Sequence, residues 1–256
     1  MQLSSWPVPA IAAAAILCGL IAMALIGLLA ARFSPWREHP DGQVAALDTA
    51  KLVGGLLGLF LIFLLSQGMT YFREAEVATA REAGNLLQLD RALAGTAPGD
   101  ADPARRLLHG YVSSVVQQEW PEMRRHSRGS EDTELALTRL GEGVAAILAR
   151  DPAAAALHNL QKNLDDIEDD RTARIGRAES GLPAALWQTV AVLFTLFAIA
   201  LFLLDPAARP FRVLSLYTAG LFLLVALLFM ADGAYRGEFS VGPAPLQRAL
   251  TRMLSP

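Results

Sequence analysis

Four stretches of this sequence run 19 residues or more without a charged side chain, and no other feature constrains the fold as strongly. They extend from about Val8 to Ala31, from Leu52 to Phe72, from about Leu182 to Leu204, and from Val213 to Ala231. At about 1.5 Å of rise per helical residue, each can cross roughly 30 Å of bilayer hydrocarbon. Only 18% of the chain is charged and 53% is hydrophobic, against about a quarter charged in a soluble globular chain. The expected fold is an all-α integral membrane protein with four transmembrane helices and a helical cytoplasmic domain. The expected division places transmembrane helices 1 and 2 in 1–72, a helical cytoplasmic domain in 73–181, transmembrane helices 3 and 4 in 182–231, and a cytoplasmic C-terminal segment in 232–256.

The first run has no Lys or Arg before it, an apolar core longer than that of a signal peptide, and no small-x-small cleavage pattern after it. It reads as a retained span. Aromatic residues stand where interface anchors belong: Trp6 and Trp36 around the first span, Tyr71 and Phe72 at the end of the second, Trp187 at the start of the third, and Tyr217 in the first turns of the fourth. Four spans put both termini and the middle domain on one side. Near the span ends that side carries eight arginines, against five basic residues on the other, so the positive-inside rule favours cytoplasmic termini.

Residues 73–181 hold 14 of the 22 basic residues and no alternating β-branched runs, so this region is expected to be helical. The segment after Arg73 contains no Pro and predicts that the second span continues as one long helix until Gly95. A second helix is expected from Pro103 to Glu119, ended by Pro121. A third begins near Asp132, and a fourth runs from Pro152 to about Ser180, with an elbow at Gly181 and Pro183. Helices of this moderate amphipathicity are expected to pack on one another and on neighbouring subunits rather than build a large separate core.

Motifs for chemistry are missing. The formal net charge of -3 provides no basic field for nucleic acid. The single cysteine, Cys18, lies in an apolar run and reads as a packing residue. The histidines His39, His109, His126 and His158 have no metal-ligand spacing, and no nucleophile-elbow, phosphate-loop or dinucleotide motif is present. Neither a metal nor a cofactor is expected, and the chain does not read as an enzyme. The acidic run Leu164–Asp170 lacks the Gly and the spaced ligands of a calcium loop and reads as a solvated helix face.

The second span carries Gly54, Gly55 and Gly58, which allow close helix approach, followed by Ser66, Gln67 and Thr70. An amide in hydrocarbon needs a protein or water partner, so Gln67 is the best single candidate for a pore-facing residue. Just beyond, Arg73, Glu74, Glu76, Arg81 and Glu82 form a charged collar, readable as a helix surface or as the vestibule of a pore. None of the four spans contains Asp, Glu, Lys, Arg or His, which argues against a charged relay and for a passive pore.

Four segments stand out: YFREAEVATAREAGNLLQLDRAL after the second span, YVSSVVQQEWPEM at 111–123, RTARIGRAESGLPAALW at 171–187, and YRGEFSVGPAPLQRAL at 235–250. Together they resemble the bacterial bestrophin-like membrane family. The matching residues include Trp120, Pro121, Arg171, Arg174, Pro183 and Trp187, for which a Trp-Pro helix end and a Gly-Leu-Pro elbow also provide architectural explanations. The resemblance implies a bestrophin-like architecture in a bacterial inner membrane: a homo-oligomer, with a pentamer as the candidate count, passing small inorganic anions along a central axis. Phe60 and Phe63 on the second span are the candidates for a constriction, with Gln67 and Thr70 beside them and Arg73, Glu74, Arg81 and Glu82 at the vestibule. The rival expectation is a non-conducting scaffold or sensor that recruits a partner through its cytoplasmic helices.

Overall fold

Prolines stand at the start of all four membrane-length helices: Pro7 caps the first, Pro40 opens the second, Pro183 caps the third and Pro210 lies in the first turn of the fourth. The computed structural model describes residues 7–34, 39–95, 101–149, 155–179, 181–235 and 240–255. The expected anchors Trp6 and Trp36, the expected helix start at Pro152, and residues 236–239 of the closing motif lie outside the described residues. Among the described residues all regular structure is helical, and four helices are long and apolar enough to cross a membrane. The chain divides into two compact units, Met1–Thr70 with Leu182–Asp232, and Tyr71–Gly181 with Gly233–Pro256.

The first unit contains α1 (Val8–Phe33), the opening part of α2 (Pro40–Ala94), α7 (Ala184–Phe202) and α8 (Arg209–Ala231). Helix α2 begins twelve residues before the uncharged run at Leu52. Pro40 suits a helix start because its φ is preset and its missing N–H is not needed there. The charges before the run are accommodated on the helix surface, where Lys51 Nζ lies 3.1 Å from Asp48 Oδ1. The Gln43 amide then fastens the α7–α8 turn: Nε2 donates to the Leu203 carbonyl at 3.0 Å, and the Asp205 N–H donates to Oε1 at 2.7 Å.

Small residues set how closely these helices pack. A Cβ on Gly19 would lie 2.8 Å from the Ala219 Cα, so α1 and α8 approach at a distance that only glycine permits. A Cβ on Gly54 would meet the Phe197 ring at 2.8 Å, and the Tyr217 hydroxyl donates to the Gly54 carbonyl. Met23, Leu57, Leu61, Leu64, Phe197 and Leu228 fill the interior. Pro183 precedes the first turn of α7, and Trp187 stacks on Phe229 with ring centroids 4.4 Å apart.

The second unit contains the rest of α2 with α3 (Ala101–Ser114), a π turn (Val115–Glu119), α4 (Trp120–His126), α5 (Glu131–Leu148), α6 (Ala155–Glu179) and α9 (Ala244–Leu254). As expected, α2 runs unbroken past Arg73, ending at Ala94. Pro121 does not end a helix at Glu119, contrary to the sequence expectation. In a regular α-helix its ring would strike the carbonyl four residues back. The π turn removes the conflict by inserting one residue: the Trp120 N–H donates to the Val115 carbonyl, five residues back, and α4 continues.

The unit also has a core of its own, larger than the amphipathicity of its helices suggests. Leu86, Leu89, Leu93, Leu108, Val112 and Val115 meet Leu140, Val144, Leu160 and Ile167. The C-terminal helix α9 docks on α3 through Leu246, Ala249 and Met253.

Gly19→Ala is expected to destabilise the protein by about 1–3 kcal/mol, because the added methyl meets backbone that cannot rotate away. Gly110→Ala, in open space on α3, should be neutral or stabilising by about 0.5–1 kcal/mol. Thermal unfolding of both variants in detergent checks the contrast.

Candidate functional site

A helix turns about 100° per residue, so residues three, four and seven apart share a face. On the membrane portion of α2 the buried face is Gly54, Leu57, Leu61, Leu64 and Gly68. Opposite it, Leu52, Leu56, Leu59, Phe63, Ser66 and Thr70 form an exposed stripe, with Leu59 68% and Phe63 53% accessible. Of the four pore candidates, Phe63 and Thr70 lie on this stripe. Phe60 is half-buried and packs against the apolar core, and Gln67 is half-buried at the edge of the stripe. The Thr70 hydroxyl donates to the Ser66 carbonyl at 3.1 Å.

The charged collar splits. Arg73 and Glu74 are exposed. Arg81 is exposed along its side chain but binds the buried Asp170 carboxylate, whose other oxygen accepts from Asn85 Nδ2 at 2.8 Å. That carboxylate is the exception in an acidic run whose Asp165, Glu168 and Asp169 are solvent-exposed. Glu82 differs from the expected vestibule placement: it is 0% exposed and faces the interior of the second unit.

Glu82 meets Arg174 there. Arg174 Nε donates to Glu82 Oε2 at 2.7 Å and Nη2 to Glu82 Oε1 at 3.0 Å, a bidentate pair. The same Nη2 donates to Glu119 Oε1 at 2.8 Å, Nη1 reaches Met123 Sδ at 2.9 Å, and the guanidinium stands 5.3 Å from the Trp120 ring centroid. Arg171 Nη2 donates to Glu119 Oε2 at 2.6 Å, and its Nη1 donates to Glu134 on α5. Two buried arginines thus face two fully buried glutamates. Trp120 completes the cluster, donating from its indole N–H to the Val241 carbonyl at 3.3 Å and lying edge-on to Tyr235 at 5.6 Å.

Burial works against the charge on Arg174 and on Glu119, and their neighbours outweigh it. Desolvation works against the charge on Arg174, but Glu82 and then Glu119 hold its pKa above the ordinary value. Burial likewise raises the Glu119 pKa, yet Arg174 and Arg171 outweigh it and the net shift is downward. Burial pushes the Tyr111 phenol well up beside the same cluster. A second, smaller ion group joins α2 to α3, where Asp90 accepts from Arg105 Nε at 2.9 Å and lies 3.2 Å from His109 Nε2.

The sequence reading missed Glu119, Glu134, Asp170 and the Asp90 group. One signal was present. Glu82 follows Ala75 and Ala78 and precedes Leu86 and Leu89 in the buried register of α2; Arg171 and Arg174 follow Leu160, Leu164 and Ile167 on α6; Glu119 follows Val112 and Val115. Charges that fall on the apolar stripe of a helix mark buried partners.

Four membrane-length helices and a helical unit organised around buried ion pairs define a polytopic all-α membrane protein. The bestrophin-like domain matches residues 13–246, and the chain belongs to the bestrophin-like family. The crystal structure of a bacterial bestrophin homologue from Klebsiella pneumoniae, solved by Zn-SAD phasing, is similar at 16% identity with a TM-score of 0.69, covering 94% of this chain and 96% of that one. Two point variants of the Klebsiella pneumoniae homologue each give a TM-score of 0.70, one at 18% identity covering 94% of this chain and 99% of that one, the other at 17% covering 93% and 97%. At these identities the likeness establishes the fold. No curated protein matches the chain.

Arg174→Leu is expected to cost about 3–5 kcal/mol, because it leaves Glu82 and part of Glu119 buried without a counter-charge. The Glu82→Leu/Arg174→Leu double variant should recover part of that loss, measured as coupling in a double-mutant cycle of denaturant unfolding. Because the Glu119 pKa is lowered below the ordinary value of 4.5, its stabilisation is present in full above that value. It is lost as pH falls from there through the lowered value. Unfolding measured between neutral pH and strong acid should therefore show a shallower acid decline in Glu119→Gln than in the wild type.

Proposed function

We propose that the protein is an oligomeric channel of a bacterial inner membrane that passes small inorganic anions along an axis lined by the exposed stripe of α2. The observation that carries this reading is polar chemistry on an otherwise apolar, outward face. Near the end of the uncharged run Ser66 and Thr70 are exposed and Gln67 half-exposed, and neither Ser66 nor Gln67 has a hydrogen-bonding side-chain partner among the described residues. Lipid tails cannot satisfy a hydroxyl or an amide, so this face is suited to water or to another subunit. Membership of the bestrophin-like family supports the same reading.

In this arrangement Leu59 and Phe63 form the apolar constriction, and Ser66, Gln67 and Thr70 follow it. Arg73, Glu74 and Arg81 border the cytoplasmic vestibule. Residues 73–181 and the segment 232–256 make up the cytoplasmic part, with both termini on that side. Bilayer lipid surrounds the assembly, whose copies are identical and whose candidate count is five. Transport in this reading is passive.

Purified protein in proteoliposomes is expected to support chloride flux down a gradient. Phe63→Ala should raise that flux about threefold or more by removing an apolar barrier to hydrated ions. Silence toward every anion and cation tested would reject the channel and leave the scaffold reading.

A further inference from the structure

Two hydroxyls on the exposed stripe of α2, one helical turn apart, are not chemically equivalent. Thr70 donates its proton to the Ser66 carbonyl at 3.1 Å, a bond within the helix that turns the lone pairs of the hydroxyl, not its proton, toward whatever lies outside. The Ser66 hydroxyl makes no hydrogen bond among the described residues, and the Ser66 side chain is exposed. A serine hydroxyl holds one proton and two lone pairs, so the free one can turn its donor outward.

An anion stripped of part of its water needs donors and is repelled by acceptors. Along the stripe it would pass Leu56, Leu59 and Phe63, which offer no donor, and then meet Ser66 before Thr70. We propose that the Ser66 hydroxyl is the anion-coordinating group of this chain and sets its selectivity, while Thr70 is structural. Gln67 stands beside it, half-buried at the edge of the stripe, and in this assignment its amide assists from the flank. The assignment rests on the channel reading above and sharpens it: the ligand is a small monovalent anion, and the contact is a charge-assisted O–H hydrogen bond repeated once per subunit.

The test measures reversal potentials of the full-length protein in planar bilayers under chloride and sodium gradients. Ser66→Ala should lower the chloride-to-sodium permeability ratio about threefold or more, and Thr70→Val should lower it by clearly less. Selectivity unchanged in Ser66→Ala, or lowered equally in Thr70→Val, overturns the assignment while leaving the channel intact. No current from the wild type rejects the channel and this assignment with it. Ser66→Cys in a Cys18→Ala background provides a readout independent of folding and conductance level. A charged, membrane-impermeant thiol reagent should label it and block current, whereas complete protection from the reagent shows that Ser66 does not face water and overturns the proposal.

Discussion

Arg174 is the group on which the second unit depends. Its guanidinium has no contact with solvent and reaches Glu82 on α2, Glu119 at the end of the π turn, and Met123 and Trp120 on α4. Without it Glu82, at 0% exposure, would lose its counter-charge, and Glu119 would keep Arg171 alone. The π turn belongs to the same arrangement. It lets the chain pass Pro121 without losing the helix, so that Glu119 and Trp120 arrive at adjacent positions, one on an arginine's charge and the other on its ring-facing side.

Such a cluster is a poor way to gain stability in absolute terms, because desolvating four charges offsets most of their attraction. Its effect is on register. The apolar stripes that meet in this unit are rows of Ala, Leu, Val and Ile, and rows of that kind can slip past one another by a turn, about 5.4 Å, with modest change in burial. Charges cannot follow them, since a slip of one turn would place a guanidinium against leucine. Glu82 with Arg174, and Asp170 with Arg81 and Asn85, act as two pins between α2 and α6: Asp170 and Arg174 stand one turn apart on α6, and Arg81 and Asn85 flank Glu82 on α2. The Trp120 bond to the Val241 carbonyl keys the C-terminal segment to the same cluster.

The spans, the continuation of α2 beyond Arg73 and the start of α5 could be read from the sequence because each follows from local composition: a long uncharged run, the absence of Pro, an acidic first turn. The start of α2 at Pro40 and the passage of the chain through Pro121 could not, since both turn on how a proline is accommodated. The buried ions were half legible. A charge in an apolar register announces that it is buried, but nothing in one helix names its partner on another, and Glu82 therefore read as readily as a surface residue of the collar. The four family segments did carry the fold, and several of their residues, Trp120, Arg171 and Arg174 above all, prove to be members of one cluster.

Within the membrane the difficulty has a different origin. In a soluble helix water distinguishes the outer face by demanding polar side chains, but leucine suits lipid, a protein interior and an apolar constriction equally well. Hydrophobicity therefore locates a span without orienting it. Phe60 and Phe63 are separated by about 60° around α2, too little for sequence to part them, and yet one packs into the core and the other stands clear of it. What orients the helix is the short polar interval at Ser66, Gln67 and Thr70. The Thr70 hydroxyl is served by the Ser66 carbonyl, and the Ser66 hydroxyl and Gln67 amide are the groups on that stretch that hydrocarbon cannot serve.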